Sequence, residues 1–336
     1  MKSLDILFCM DRNFVLGAGA LIASILKHNP DINFLFHVFT KEEDIEFIDK
    51  EMFVRLLNNK QLIPNFKYKF YTASILPLYK KLQNAGINMR RIIQATRLFS
   101  PSCCETISDR ILYLDADILC LGSIAPLLDF NFNGKAYAAS LWNGHEENTP
   151  DKLEGKYLVN NVFCAGVMLI DIEAWKRDIN EEKLIDFIIK ENPKYTDQTA
   201  LNVVYDDKYA RLADCYDSFN SIKDDTVLLH YVSQKLWEPW NFNAAADILS
   251  AFRKYAKLFE PDVTKWVSFK KEKAVLVNLS RYDNPESRYA SKWMYKHMLK
   301  KRKYKGFMYF LMKHIYLKIK QKGVVGLLLL KSNTGS

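Results

Sequence analysis

The stretch RILYLDADILCL, residues 110–121, decides the fold and directs the search for a site. Leu112, Tyr113, Leu114, Ile118 and Leu119 make a run too continuous for a half-exposed strand, so a strand covered on both faces is expected here. Asp115 and Asp117 interrupt it. Carboxylates at the edge of a core are costly unless a positive charge meets them, and two residues apart on an extended chain they can converge on one cation. A hard divalent metal is the expected partner. Most Asp-x-Asp pairs are solvated loop residues, but this one is the only such pair in the chain and lies inside hydrophobic sequence.

Working outward, residues 4–9 and 33–40 form further buried strands and residues 66–71 a third. Between them, residues 17–28 and 42–57 carry helical periodicity. This alternation predicts a twisted, largely parallel sheet with helices on both faces. After residue 121 the pattern loosens, with strands expected at 135–140, 165–171 and 227–232 and one helix over 172–190. Residues 145–156 read as a polar loop. Thr196, Asp197 and Gln198 open another helix, with Thr196 or Asp197 as a candidate cap. Ligands of doubly wound sheets sit beyond the carboxyl ends of the strands. Residues 11–14, the Asp115/Asp117 pair and His230 all fall at such ends, so three distant segments are expected to meet.

At 336 residues, with 49% apolar and 26% charged residues, the chain is an ordinary globular protein and not a disordered one. Its net charge of +9 is unevenly placed: residues 287–336 hold 13 Lys or Arg and no acid, which leaves the rest mildly acidic. The six cysteines lie mostly in apolar runs without C-x-x-C spacing, as expected of reduced core residues in a cytosolic protein. The N-terminus enters a strand at once, so no secretory signal is expected. No run reaches the roughly 18 apolar residues of a spanning helix.

The ordered segments MDRNF (10–14), GAGALIASIL (17–26), LYLDADILCLGSIAPL (112–127), FCAGVMLID (163–171), TDQTALN (196–202) and LLHY (228–231) resemble glycosyltransferase family 8. The resemblance is to its lipopolysaccharide core hexosyltransferases and covers nearly the whole length. It implies an α/β, GT-A-type nucleotide-sugar fold, a Rossmann-like mixed sheet flanked by helices, with a basic helical C-terminal tail. It also implies a retaining transferase that moves glucose or galactose from a UDP-hexose donor to the lipopolysaccharide core. On the matching positions, Asp115, Asp117 and His230 are implied to bind a divalent metal. That mixed oxygen and imidazole set suits Mn²⁺ better than Mg²⁺. Asp11 and Asn13 are implied to bond the uridine and Phe14 to stack on uracil, while Arg97 and Asp115 reach the donor. Taken by itself, Arg97 reads as one half of a salt bridge on a helix surface.

Asp197 and Gln198 are implied to face the sugar as the catalytic pair. A glutamine amide is a poor nucleophile, which favours a front-face route over double displacement. The chain departs from the family pattern at Cys164, where Asn is usual, and at Thr199, where Asp is usual. Ser233 stands for Gly, and Glu238 for a lysine that Lys235 could replace at the diphosphate. These departures keep a second reading open, a noncatalytic membrane-associated protein that binds UDP or sugar. A transferase acting on a soluble glycan is a third.

The expected boundaries are a catalytic domain over 1–262 and a membrane-association region over 263–336. Over residues 288–322 Lys and Arg interleave with aromatic residues, among them Trp293, Tyr304 and Phe310. Two such helices would lie in a membrane interface, each cation contributing about 1 kcal/mol against anionic lipid. The resemblance implies a place at the cytoplasmic face of the inner membrane of a Gram-negative bacterium, beside a lipid-linked acceptor. Nucleic acid is not an expected partner, since the body is acidic and carries no recognition motif.

Overall fold

The computed structural model describes residues 2–62, 65–142, 145–147, 149–205, 208–232, 235–237 and 245–259, with positions 308, 311, 312 and 315. Two compact units are distinguished, Met1–Val232 and Ser233–Ser336. The first is built on seven strands: β1 (Lys2–Cys9), β2 (Ile32–Thr40), β3 (Phe66–Thr72), β4 (Arg110–Leu114), β6 (Tyr137–Ala139), β9 (Val167–Asp171) and β10 (Tyr209–Arg211). Their order is β10-β6-β9-β4-β1-β2-β3. β1 pairs in parallel with β2 and β4, and β2 with β3, whereas β9 runs antiparallel to both β4 and β6. The sheet is therefore mixed, and the reversal falls beside the strand that leads into Asp115.

Alternate residues of β1 feed two cores, which is why its run has no polar phase. Leu7 joins Phe39, Tyr113, Met168 and Trp175 on one face. On the other, Phe8 stacks on Phe36 at 6.0 Å, and Phe36 meets Phe53 at 6.3 Å. A short sheet of β11 (Ser218–Phe219), β12 (Leu228–His230) and β5 (Ile118–Cys120) lies beyond the end of β4. β12 is antiparallel to β5, with His230 opposite Ile118. A hairpin of β7 (Asp151–Leu153) and β8 (Tyr157–Val159) completes the strands among the described residues.

The helices are α1 (Val15–His28), α2 (Glu42–Ile48), α3 (Val54–Leu57), α4 (Pro77–Asn84), α5 (Met89–Thr96), α6 (Ile172–Asp178), α7 (Glu181–Glu191), α8 (Thr196–Val204) and, in the second unit, α9 (Ala246–Phe259). Several expectations need correction. The helix read over 42–57 contains a π-helical turn at Asp49–Phe53 between α2 and α3. The single helix over 172–190 is two, because Asn180 leaves helical geometry and caps α7 through Lys183 N at 3.1 Å. The loop over 145–156 contains β7, and its tip turns left-handed at Glu154 and Gly155, with φ of 57° and 70°. Neither Thr196 nor Asp197 caps α8, whose N-cap is Tyr195 without a side-chain bond.

Most of the basic tail, together with Ser233 and Glu238, lies outside the described residues. Among the described residues no helix is long and apolar enough to cross a membrane.

Candidate active site

Asp115 and Asp117 occupy the break between β4 and β5, where the chain leaves the large sheet for the small one. Asp115 N donates to Gly166 O at 2.8 Å and Tyr231 N to Asp117 O at 3.1 Å, so both sheets hold the break. Each oxygen of Asp115 has a different neighbour. Oδ1 accepts from Tyr113 OH at 2.6 Å and pairs with Arg97 Nη2 at 2.8 Å, while Oδ2 faces His230 Nε2 at 3.9 Å. Asp117 Oδ1 lies 3.5 Å from the same Nε2.

His230 is buried, and Asp217 Oδ1 engages its Nδ1 at 2.8 Å, which aims Nε2 at the two carboxylates. Burial pushes the imidazole pKa down, but Asp217 and Asp117 outweigh it and hold it well above its ordinary value. Ligand atoms of Asp115, Asp117 and His230 all lie within 4.8 Å of one another. Two carboxylates and an oriented imidazole fit a divalent cation. The sequence-predicted metal set is thus brought together, and Asp217, which stands behind it, was missed.

Arg97, at the C-cap of α5, is buried rather than a surface residue. Its Nε pairs with Asp197 Oδ2 at 3.0 Å, its Nη1 donates to Ala165 O at 2.7 Å, and its guanidinium lies 4.4 Å from the Tyr113 ring centroid. One guanidinium therefore ties the Asp115 break to the start of α8. Burial opposes its charge, yet Asp115 and Asp197 hold its pKa well above the ordinary value. Burial pushes the Asp197 carboxyl up to about 6. Gln198 Oε1 accepts from Ala165 N at 3.3 Å, while its Nε2 is buried without a hydrogen-bond partner among the described residues. An orphaned donor of this kind is costly in a finished core and suits a polar ligand.

Asp11, Asn13 and Phe14 follow β1 in a short 3-10 turn, which Asp11 caps by accepting from Asn13 N at 2.8 Å. The parallel register, Leu7 opposite Tyr113, sets this turn at the same strand ends as Asp115. Lys235 belongs to the second unit.

Cys164 lies 3.9 Å from His230 Nδ1, and burial pushes its thiol up to about 12, so it stays protonated beside an imidazole nitrogen that Asp217 already engages. Gly166 was also missed. A Cβ there would overlap the His230 ring, so the residue is glycine because backbone and imidazole approach closely. The signal was a glycine at the entry to a buried strand.

The model of the family described as "Glycosyl transferase family 8" matches residues 5–243. The chain belongs to glycosyl transferase family 8. Among curated relatives, lipopolysaccharide 1,2-glucosyltransferase of Escherichia coli is 26% identical over 90% of this chain and 88% of its own length. Lipopolysaccharide 1,3-galactosyltransferase of Salmonella typhimurium is 32% identical over 70% and 73%. Among solved structures, the galactosyltransferase LgtC, in complex with donor and acceptor sugar analogues, superposes with a TM-score of 0.58. It shares 19% identity and covers 79% of this chain and 100% of its own. The fold is accordingly that of the GT-A glycosyltransferases.

For this family 8 member, Gly166→Ala is expected to cost about 1–3 kcal/mol through overpacking against His230. Glycosyl transfer is expected to fall at least about tenfold as the ring is displaced. Circular-dichroism melts and initial rates check both, and a variant as stable and as active as the wild type would show that the ring has room to move.

Proposed function

We propose that this chain transfers a hexose, glucose or galactose, from a UDP-sugar to the core oligosaccharide of lipopolysaccharide with retention of anomeric configuration. The observation that carries the reading is the convergence of Asp115, Asp117 and His230 beside Arg97, Asp197 and the unpartnered amide of Gln198. The names of the relatives, which include both a glucosyl- and a galactosyltransferase, support the substrate class.

In this reading Asp11 and Asn13 bond the uridine and Phe14 stacks on the uracil. Asp115, Asp117 and His230 hold the divalent metal, Mn²⁺ rather than Mg²⁺. When bound, that cation meets the negative charge that grows on the leaving diphosphate. Arg97 holds Asp115 and Asp197 in place through its ion pairs, and the Gln198 amide donates to the sugar near its anomeric carbon. The anomeric carbon–oxygen bond to the diphosphate breaks as the acceptor hydroxyl attacks on the same face, and its proton passes to the departing phosphate oxygen. Metal coordination requires neutral His230, so acid opposes it. We place the enzyme at the cytoplasmic face of the inner membrane, with residues 1–262 as the catalytic part and 263–336 as the membrane-associating part.

Purified protein with Mn²⁺ is given UDP-glucose, UDP-galactose or UDP-N-acetylglucosamine separately, with and without deacylated core oligosaccharide, and UDP release is measured. One of the two hexose donors is expected to give acceptor-stimulated release that EDTA abolishes. UDP binding without release from any donor would instead establish the noncatalytic scaffold. In the same assay, acceptor in anionic vesicles should react faster than acceptor in neutral ones, with the advantage lost at high salt. Equal rates would remove the role given to the tail.

A further inference from the structure

The backbone that presents Asp197 and Gln198 is strained. Thr196, a β-branched residue, has a φ of 29°, which such residues rarely adopt. The chain enters this turn from Asn192, itself left-handed at the end of α7, and leaves it as α8 without a side-chain cap from Tyr195. Beyond two long backbone bonds of its own, Thr196 N to Pro193 O at 3.4 Å and Thr199 N to Tyr195 O at 3.3 Å, the turn is held from outside, on two sides.

On one side stands Glu154, at the left-handed tip of the β7–β8 hairpin. Its Oε2 accepts from Lys194 N at 2.8 Å and its Oε1 from Tyr195 N at 3.0 Å, and the Thr199 hydroxyl donates to the same Oε1. A carboxylate there also complements the positive end of α8. On the other side stands Arg91 of α5. Its Nε donates to Thr196 Oγ1 at 2.8 Å, its Nη2 to Pro193 O at 2.6 Å and its Nη1 to Asn192 Oδ1. The helix that carries Arg91 ends in Arg97, which grips Asp197. Burial pushes the Glu154 carboxyl up, but the bonds from Thr199, Tyr195 and Lys194 outweigh it and hold it below the usual carboxylate range. Thr199 suits this place, since a hydroxyl donates to Glu154 where a second carboxylate would repel it.

We propose that Glu154 and Arg91 form a clamp on residues 192–199 that holds the strained turn and thereby positions Asp197 and Gln198 against the donor sugar. The positioning role rests on the reading of Asp197 and Gln198 given above; the clamp itself rests on the hydrogen bonds. Glu154 is a positioning residue, and its loss should act on turnover more than on donor binding.

The test is Glu154→Ala in the full chain, followed by transfer kinetics, thermal melting and amide hydrogen exchange. The kcat is expected to fall about ten- to a hundredfold with donor KM changed by no more than about threefold. Exchange should quicken at residues 194–199 while β4 and β12 stay protected. Glu154→Gln, which keeps one acceptor oxygen, should fall between alanine and wild type. Thr199→Val removes one of the three bonds without touching the hairpin; it should lower kcat in the same direction and add little to Glu154→Ala in the double variant. It also decides the matter if the alanine variant does not fold.

The proposal is overturned if exchange at 194–199 is unchanged in Glu154→Ala, if kcat is unchanged, or if kcat and donor affinity fall together. It is equally overturned if kcat falls only in proportion to lost folded protein. Should the wild type itself transfer no sugar, the functional reading fails, while exchange at 194–199 still decides the clamp.

Discussion

Asp117→Asn is expected to lower hexose transfer by on the order of 10³-fold at saturating donor and Mn²⁺, with little change in melting temperature. The substitution keeps the shape of a side chain that is 6% exposed and removes one of the two negative charges facing His230 Nε2. It does not disturb Asp217, which orients the imidazole from behind. An amide is a weak ligand for a hard cation, so the effect should fall on metal binding and on departure of the diphosphate. Initial rates and melts of the two proteins compared side by side measure it. Retention of more than about a tenth of the rate would remove Asp117 from the reaction.

Arg97→Met should act on stability first. Asp115 and Asp197 would keep their place beside the core without the guanidinium that meets them, a loss of about 3–5 kcal/mol for breaking a buried pair from one side. In a unit of this size that corresponds to a fall of roughly 10 °C in melting temperature. The effect should be insensitive to salt, because Arg97 is only 6% exposed. Arg97→Lys should rescue little. A point charge cannot reach Asp115, Asp197 and the Ala165 carbonyl together, nor lie flat on Tyr113 as the planar fork does. Adding Asp197→Asn to Arg97→Met should recover part of the loss by removing one stranded charge. Chemical and thermal unfolding of the four proteins decides this, and a fall of no more than about 2 °C in Arg97→Met would show that the pairing of Arg97 with Asp115 and Asp197 is not what holds these segments together.

The large sheet was legible because β1, β2 and β4 are largely buried on both faces, so their sequence is mostly apolar without a polar alternate phase and their length is that of strands. The pair at Asp115 and Asp117 stood out for the same reason, as charge placed where packing does not explain it. Arg97 carried no such mark, since an arginine at a helix end is ordinary, and only the ordered resemblance singled it out; His230 was marked by its place at a strand end, where a lone histidine is ordinary, and the resemblance gave it a role. Asp217, Glu154 and Gly166 were not legible, because each acts through a partner far away in the chain. Asp217 lies in a plain polar loop, and its meaning depends on the pairing of β11 with β12, which sets Phe219 opposite His230. Glu154 sits in a segment whose polarity reads as a solvated loop, and the hairpin that lifts it to α8 has only three residues in each strand. The break between α6 and α7 was missed because apolar periodicity runs across Ile179, although Asn180 three residues before Lys183 is a capping signal.

The most direct measurement is the binding of Mn²⁺ followed by the loss of its free six-line electron paramagnetic resonance signal, with UDP present, for the wild type and for Asp117→Asn. One Mn²⁺ bound per wild-type chain, with binding much weakened in Asp117→Asn, is the predicted result. Wild-type protein that leaves the free signal unchanged, or a variant that binds Mn²⁺ as the wild type does, would contradict the assignment of Asp115, Asp117 and His230 as the metal site of a nucleotide-sugar transferase.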